Sequence, residues 1–314
     1  MFHLILKVVI NLKIVFMGTP EFSVPILEEL NNKYEILLVI SQPNRVKKKG
    51  VFIDTPVAKC AKELGLNLIQ PEKINNDYEL IKSVGADVLI TAAYGQYVPT
   101  KILDLFKFKL NVHASLLPKR RGGAPIQRSL IEGDKVTGVS IMEMTKGLDQ
   151  GCVYGVKEYV IDDNDNSTTL FSKLSIIGRD LLINIIEDIY NGKILGIKQD
   201  DNLATFSKNI LPEEEKINID DTSINIRNKV RGLAMEPGAY IEYNDIKLKV
   251  YEVSIIDYEG NEKPGTILST KKGIKIKTLD GAISLDMVLY PGKKITSGKD
   301  FSNGQKLFKD GDII

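Results

Sequence analysis

The sequence predicts an α/β domain wound on both faces of a mostly parallel, Rossmann-like sheet, followed by a small all-β barrel of OB-like type. Three observations lead to this. Short apolar strands alternate with helical periods through the first two thirds of the chain. A polar, acidic stretch breaks that alternation near residue 200. Beyond it, short strands are separated by Pro-Gly and Asp-Gly turns.

The elements follow in order. Lys13 to Met17 reads as an apolar strand ending at Gly18, and Phe22, Ile26, Leu27 and Leu30 follow at helical spacing. Ile36 to Ser41 is a second buried strand. Val57, Cys60, Ala61 and Leu64 mark a helix with Pro56 at its start. Leu66 to Ile69 repeats the strand pattern, then come a helix around Leu80, Ile81 and Val84 and strands at Asp87 to Thr91, Phe108 to Val112 and Val139 to Met144. Strands separated by helices imply right-handed crossovers and hence the doubly wound sheet. A long helix from about Ser167 to Tyr190, after the acidic turn Asp162 to Asn166, closes the domain.

Residues 198–221, with Pro212 and Glu213 to Glu215 in series, read as a linker over the surface. Five strands are expected after it: Tyr240 to Tyr243, Ile246 to Val253, Gly265 to Ser269, Ile274 to Thr278 and Ile283 to Leu289. Asp280-Gly281 marks a hairpin. The expected division is 1–197 for the sheet domain, 198–221 for the linker and 222–314 for the barrel. Residues 1–12 stand apart as an N-terminal extension.

Composition narrows the classes. At 314 residues, with 43% hydrophobic and 26% charged, the chain has the profile of a soluble globular protein. A net charge of +1 confines any nucleic-acid surface to a local patch. Cys60 and Cys152 lack metal-ligand spacing and read as core residues of a cytoplasmic protein. Met1 to Ile10 is apolar, but Lys7 interrupts it and no cleavage site follows. It is a poor signal peptide and too short for a membrane span, so an added strand or a mis-assigned start ahead of Lys13 is expected. The turn Met17-Gly18-Thr19-Pro20-Glu21 lacks the later glycines of a dinucleotide fingerprint, no acidic residue ends the second strand, and there is no P-loop.

Open parallel sheets bind ligands beyond the carboxyl ends of their strands. One loop there runs Asn111-Val112-His113-Ala114-Ser115-Leu116-Leu117-Pro118 and on through Arg121-Gly122-Gly123-Ala124-Pro125-Ile126-Gln127. If strand geometry reaches that far, Asn111 and His113 leave one face, and their donors can meet a developing oxyanion. The other histidine is His3, so His113 is the candidate for acid–base work near neutral pH. The plainer reading of His113 is a loop residue satisfied by the backbone. In Lys146-Gly147-Leu148-Asp149-Gln150-Gly151, two glycines bracket one carboxylate, which is either a surface turn or a group aimed at the same sheet edge. Arg45, Lys47, Lys48 and Lys49 follow the second strand as either solvated loop or a phosphate-binding edge.

Together these loops resemble the folate-dependent formyltransferases. The segment Asn111 to Pro118, Arg121-Gly122 after it and Asp149 in a Gly-Leu-Asp-x-Gly loop are specific to that group. Gly18-Thr19-Pro20-Glu21-Phe22, Gln42-Pro43-Asn44-Arg45, Ala93-Tyr94-Gly95 and Gly123 to Gln127 look like the branch that acts on initiator methionyl-tRNA. The similarity runs from about Lys13 to the C-terminus. It departs at a slightly shorter basic loop, and at Arg231 to Gly238, which match an aromatic family segment only loosely in a chain without tryptophan.

The resemblance implies 10-formyltetrahydrofolate as donor and the methionine α-amine of charged initiator tRNA as acceptor. Asn111 and His113 would polarise the formyl oxygen. Asp149 would hold His113 in its useful protonation state and help take a proton from the amine. Ser115, Leu116, Leu117 and Pro118 would line the folate site, Arg45 to Lys49 would reach the acceptor stem, and the barrel would contact the tRNA backbone. Amine attack on a formyl carbon needs oxyanion donors, so no metal and no nucleotide cofactor are expected. A monomer with no membrane association is expected. A formyltransferase for small-molecule amines, a 10-formyltetrahydrofolate hydrolase and a non-catalytic RNA-binding protein are the rival readings.

Overall fold

A computed structural model describes residues 12–47 and 51–314. The segment expected to add a strand ahead of Lys13 lies outside them, as do Lys48 and Lys49. By packing, the described chain separates into two compact units. The first holds residues up to Gly123, Gly138–Tyr159 and Phe171–Phe206, and the second holds Ala124–Thr137, Val160–Leu170 and Ser207–Ile314.

In the first unit, β1 (Lys13–Gly18) is apolar and buried after its first residue. A short 3-10 turn leads into α1 (Val24–Lys33), whose Ile26, Leu27 and Leu30 are buried. β2 (Glu35–Ile40) follows, then an antiparallel ribbon of β3 (Arg45–Lys47) and β4 (Val51–Ile53). Helix α2 (Pro56–Glu63) starts where Pro56 fits without losing a hydrogen bond and Thr55 Oγ1 accepts from Ala58 N. Then come β5 (Leu68–Ile69), α3 (Tyr78–Ser83), β6 (Val88–Ala92), α4 (Thr100–Leu103) and β7 (Phe108–His113).

The seven-stranded sheet has the order β5-β2-β1-β6-β7-β8-β9, where β8 is Val136–Glu143 and β9 is Val153–Val160. The pairs from β5 to β7 are parallel and β8 runs antiparallel to β7. The chain winds outward from β1 through β2 to β5, then returns to β6 and β7. Strand order therefore reverses between β1 and β6, which is where such sheets open a crevice at their carboxyl ends. Val15, Met17, Leu38, Ile40, Leu89 and Tyr94 fill one face. On the other, the long helix Ser167–Tyr190 crosses so closely at Gly178 that a Cβ there would fall 2.6 Å from Val112 Cγ1.

The second unit contains the short helix Pro125–Ile131 and the helix Ser223–Gly232, which starts at the cap Thr222. The two approach closely because Gly232 has no side chain: a Cβ there would meet Ile131 Cγ1 at 2.6 Å. This packing is why Ala124–Thr137 belongs with the C-terminal unit, although it lies inside the span 1–197 expected for the first. The six-stranded sheet is an antiparallel half-barrel: Ala239–Tyr243, Ile246–Ile256, Ala282–Leu289, Ile274–Lys277 and Ile267–Ser269 in spatial order, with Thr296–Ser297 paired to Ala282–Leu289. Asn244 and Asp245 join its first two strands, both at positive φ, as a tight type I′ hairpin requires. Leu248, Val250, Ile276, Ile283, Leu285 and Val288 form its core with Ile226, Val230 and Leu233.

The stretch 198–221 is more ordered than a surface linker. It contains 3-10 turns at Asp201–Leu203 and Pro212–Glu215, and Gln199 and Ser207 are buried. Within the second unit, Arg128 makes a two-pronged ion pair with Glu214 at 2.7 and 2.9 Å.

Candidate active site

Strand β7 continues to its last residue, where His113 pairs with Ser140 of β8. Asn111 and His113 therefore leave one face of the sheet, and Val112 leaves the other, toward Gly178. Position 111 also lies opposite Thr91 of β6. The Thr91 hydroxyl is buried and lies 2.8 Å from Asn111 Oδ1, with Leu110 O at 3.3 Å and Met144 Sδ at 3.0 Å as its other acceptors. With its oxygen accepting there, the Asn111 amide turns its NH2 away from Thr91.

His113 is 6% exposed. Its Nε2 lies 3.1 Å from the Arg120 carbonyl, and since a carbonyl only accepts, Nε2 carries the proton in the neutral ring. That leaves Nδ1 as an acceptor, facing Asp149 Oδ2 at 3.7 Å. The gap exceeds a hydrogen bond. The carboxylate itself is fixed: Asp149 Oδ2 accepts from Gly122 N at 2.8 Å, and the residue has the left-handed φ of +49°. The structure thus brings Asn111, His113 and Asp149 to one sheet edge.

A buried pair backs this cluster. Arg121 is 1% exposed and donates through Nε and Nη2 to Gln199 Oε1, at 3.1 and 2.9 Å. Gln199 Nε2 donates to the carbonyls of Asp149 and Gly151, each at 2.8 Å. Arg121 Nη2 also reaches Asp201 Oδ1 at 2.8 Å.

The loop Ser115 to Pro118 is pinned from beneath. Ser140 Oγ donates to Ser115 O and accepts from Leu117 N, and Ser115 Oγ donates to Lys119 O. The side chains of Ser115 and Leu117 are buried, while Leu116 and Pro118 are half-buried. Nearby in the same unit, the carbonyl of Tyr94 accepts from Thr19 Oγ1 and Gln42 Nε2, which ties together the turns after β1, β2 and β6. Burial pushes the Tyr94 hydroxyl up to about 12, and it has no hydrogen-bond partner among the described residues.

Arg45 and Lys47 are strand residues of the ribbon, paired opposite Ile53 and Val51. Short β-branched segments on either side favour this pairing over the open loop the sequence suggests. Among the described residues, no group of three or more His, Cys, Asp or Glu side chains is placed to hold a metal ion.

Comparison with known proteins shows the family. Residues 12–186 match the formyl transferase family and residues 209–306 match the formyl transferase C-terminal domain. The chain belongs to the formyl transferase family. It is 44% identical over 298 residues to a methionyl-tRNA formyltransferase of Streptococcus pneumoniae, a match spanning 93% of this chain and 95% of the relative. Solved structures share the fold, two of them as follows. The methionyl-tRNA formyltransferase of Clostridium thermocellum aligns with a TM-score of 0.56 at 18% identity, over 86% of this chain and all of that one. HypX of Aquifex aeolicus, solved with tetrahydrofolic acid, aligns at 0.67 and 15% identity over 96% of this chain, which spans about half of HypX.

Several groups of this formyl transferase escape sequence reasoning. Thr91 is a lone polar residue in an apolar strand, and only the β6–β7 register shows what it touches. Arg120 and Gly122 act through backbone atoms, which leave no side-chain signal. Gln199 lies in a stretch that reads as linker. Arg121 belongs to the quoted motif, but its partner is 78 positions away.

Proposed function

We propose that this enzyme transfers the formyl group of 10-formyltetrahydrofolate to the α-amine of methionine on initiator tRNA. The observation that supports it most directly is 44% identity to a methionyl-tRNA formyltransferase over both domains. The folate supplies a nitrogen-bound formyl carbon that an amine can attack. The Asn111 NH2, oriented by Thr91, donates to the oxygen that becomes the oxyanion. In its neutral form His113, with Nε2–H on the Arg120 carbonyl, presents Nδ1 beside Asp149 Oδ2. These two acceptors, 3.7 Å apart, are spaced to take N–H protons from one amine nitrogen. Once protonated, His113 has a donor at Nδ1 that can return the proton to the leaving nitrogen. This reading gives the oxyanion to Asn111 and the proton to His113 and Asp149, whereas the sequence motif alone pairs Asn111 with His113 on the formyl oxygen.

The folate lies on the loop Ser115 to Pro118 and is met by Leu116 and Pro118, because Ser115 and Leu117 turn inward. Arg45, Lys47, Lys48 and Lys49 meet acceptor-stem phosphates, and the C-terminal half-barrel meets the tRNA backbone. The enzyme works as a cytoplasmic monomer; the free thiols Cys60 and Cys152 fit a reducing compartment. No helix among the described residues is long and apolar enough to cross a membrane.

The test is single-turnover transfer from 10-formyltetrahydrofolate to charged initiator tRNA, with elongator methionyl-tRNA, small amines and water as alternative acceptors. Rapid transfer to the initiator alone is expected. Formate release at an equal rate without tRNA would make the enzyme a hydrolase, and transfer to small amines alone would make it a small-molecule transformylase.

A further inference from the structure

Asp149 holds a left-handed backbone conformation, with φ of +49°, that is uncommon for a non-glycine residue. Its carbonyl and that of Gly151 are both tied to Gln199 Nε2. An amide can present both N–H groups to that loop only if its oxygen faces away. Arg121 ensures this, since Nε and Nη2 converge on Gln199 Oε1 and a flipped amide would set its NH2 against the guanidinium. The main chain around Arg121 completes the ring, with Arg120 O taking His113 Nε2–H and Gly122 N–H holding Asp149 Oδ2.

Stability alone gives little reason for this arrangement. Arg121 is 1% exposed and its carboxylate partner Asp201 is 72% exposed, so the guanidinium is desolvated against a solvated charge. Replacing an ion pair in such a place by well-packed apolar side chains is often neutral or stabilising.

We infer that Arg121 and Gln199 are positioning residues that fix the spacing between the His113 imidazole and the Asp149 carboxylate. They touch no substrate and act through the Asp149 loop. The inference rests on the formyl-transfer reading above and adds to it the residues that hold the proton-accepting pair in register.

The test is a double-mutant cycle on formyl transfer. Gln199→Ala should lower kcat by about tenfold to a hundredfold, the scale of a small misplacement of reacting groups, while both KM values stay within about twofold. In an Asp149→Ala background the same change should cost no more than about twofold, because Gln199 acts through Asp149. The pH dependence of kcat in Gln199→Ala should change shape toward that of Asp149→Ala. Gln199→Glu keeps an acceptor for Arg121 and deletes the two donors. It should show the same loss of kcat with a Tm near wild type, and it decides the matter if Gln199→Ala does not fold.

A second readout needs no turnover. The Gly122 amide should exchange with solvent at least about tenfold faster in Gln199→Glu than in wild type, because its acceptor has moved. Independent costs in the cycle, a loss expressed only in KM or Tm, or an unchanged Gly122 amide would overturn the inference. If the wild type formylates no tRNA, the functional reading fails instead, and amide exchange still decides whether Gln199 holds Asp149.

Discussion

Replacing Thr91 by valine tests how the oxyanion donor is aimed. The substitution keeps the shape of a buried side chain and deletes the hydroxyl 2.8 Å from Asn111 Oδ1. A neutral hydrogen bond of this kind contributes about 0.5–1.5 kcal/mol, so losing the orientation it imposes should slow transfer by about 2- to 12-fold. Deleting the donor itself, in Asn111→Ala, should cost about a hundredfold to a thousandfold. Single-turnover transfer at saturating folate and tRNA measures both, and Thr91→Ser should restore most of the rate by restoring the hydroxyl. The hydroxyl has one proton and three acceptors, and Leu110 O and Met144 Sδ compete for it. A wild-type rate for Thr91→Val beside a crippled Asn111→Ala would mean that the proton goes to one of those competitors. The stated aim of the amide would then be wrong.

Three other perturbations follow. Arg45→Ala should lower kcat/KM for tRNA more than any single lysine change at 47 to 49 and leave folate KM unmoved, since only guanidinium pairs bidentately with phosphate; rates that respond identically to salt in wild type and variants would return these residues to ordinary surface. Arg128 and the Leu211 amide hold the Glu214 carboxyl down to about 2 from 4.5, so its contribution to stability is present above 4.5 and fades as pH falls toward 2. Glu214→Gln should flatten the stability curve within that window, and an unchanged acid limb in denaturant titrations would discount the pair. Burial, with Glu28, Glu63 and Glu21 adding to it, pushes the Cys60 thiol up to about 11, so iodoacetamide at mildly alkaline pH should label half-buried Cys152 first and reach Cys60 only on unfolding; peptide mapping that finds Cys60 alkylated first would contradict this.

The parts legible in sequence are those where a periodic pattern and a buried face coincide. β1, β2 and β6 are nearly continuous apolar runs, as strands covered on both sides must be, β7 alternates apolar and polar residues, and the long helix Ser167–Tyr190 repeats its period often enough to fix both ends. β9 gives no such signal: it is an edge strand with Lys157 and Glu158 exposed and Gly155 within it. The ribbon at Arg45 is three residues a side, too short for alternation to show. At the site, side chains with distinctive chemistry in a tight motif, Asn111, His113 and Asp149, were readable. What aims them was not, because Thr91, the Arg120 carbonyl, the Gly122 amide and Gln199 enter through strand register, main chain and long-range contact. The acidic stretch after residue 198 reads as surface because it is polar, yet polarity there serves buried hydrogen bonds such as those of Gln199.

The way His113 and Asp149 are gripped from either side of Arg121 constrains the chain in an uneven way. Both grips are peptide groups, one carbonyl and one amide two positions apart, so they depend on the count of residues rather than on the side chain at position 120. An inserted or deleted residue between Lys119 and Gly122 would carry one grip away from its partner and leave imidazole and carboxylate governed by different turns of backbone. Length in this stretch is thus as much a chemical parameter as the identity of the histidine, and a redesign of the enzyme for another amine would have to leave the number of peptide bonds here untouched.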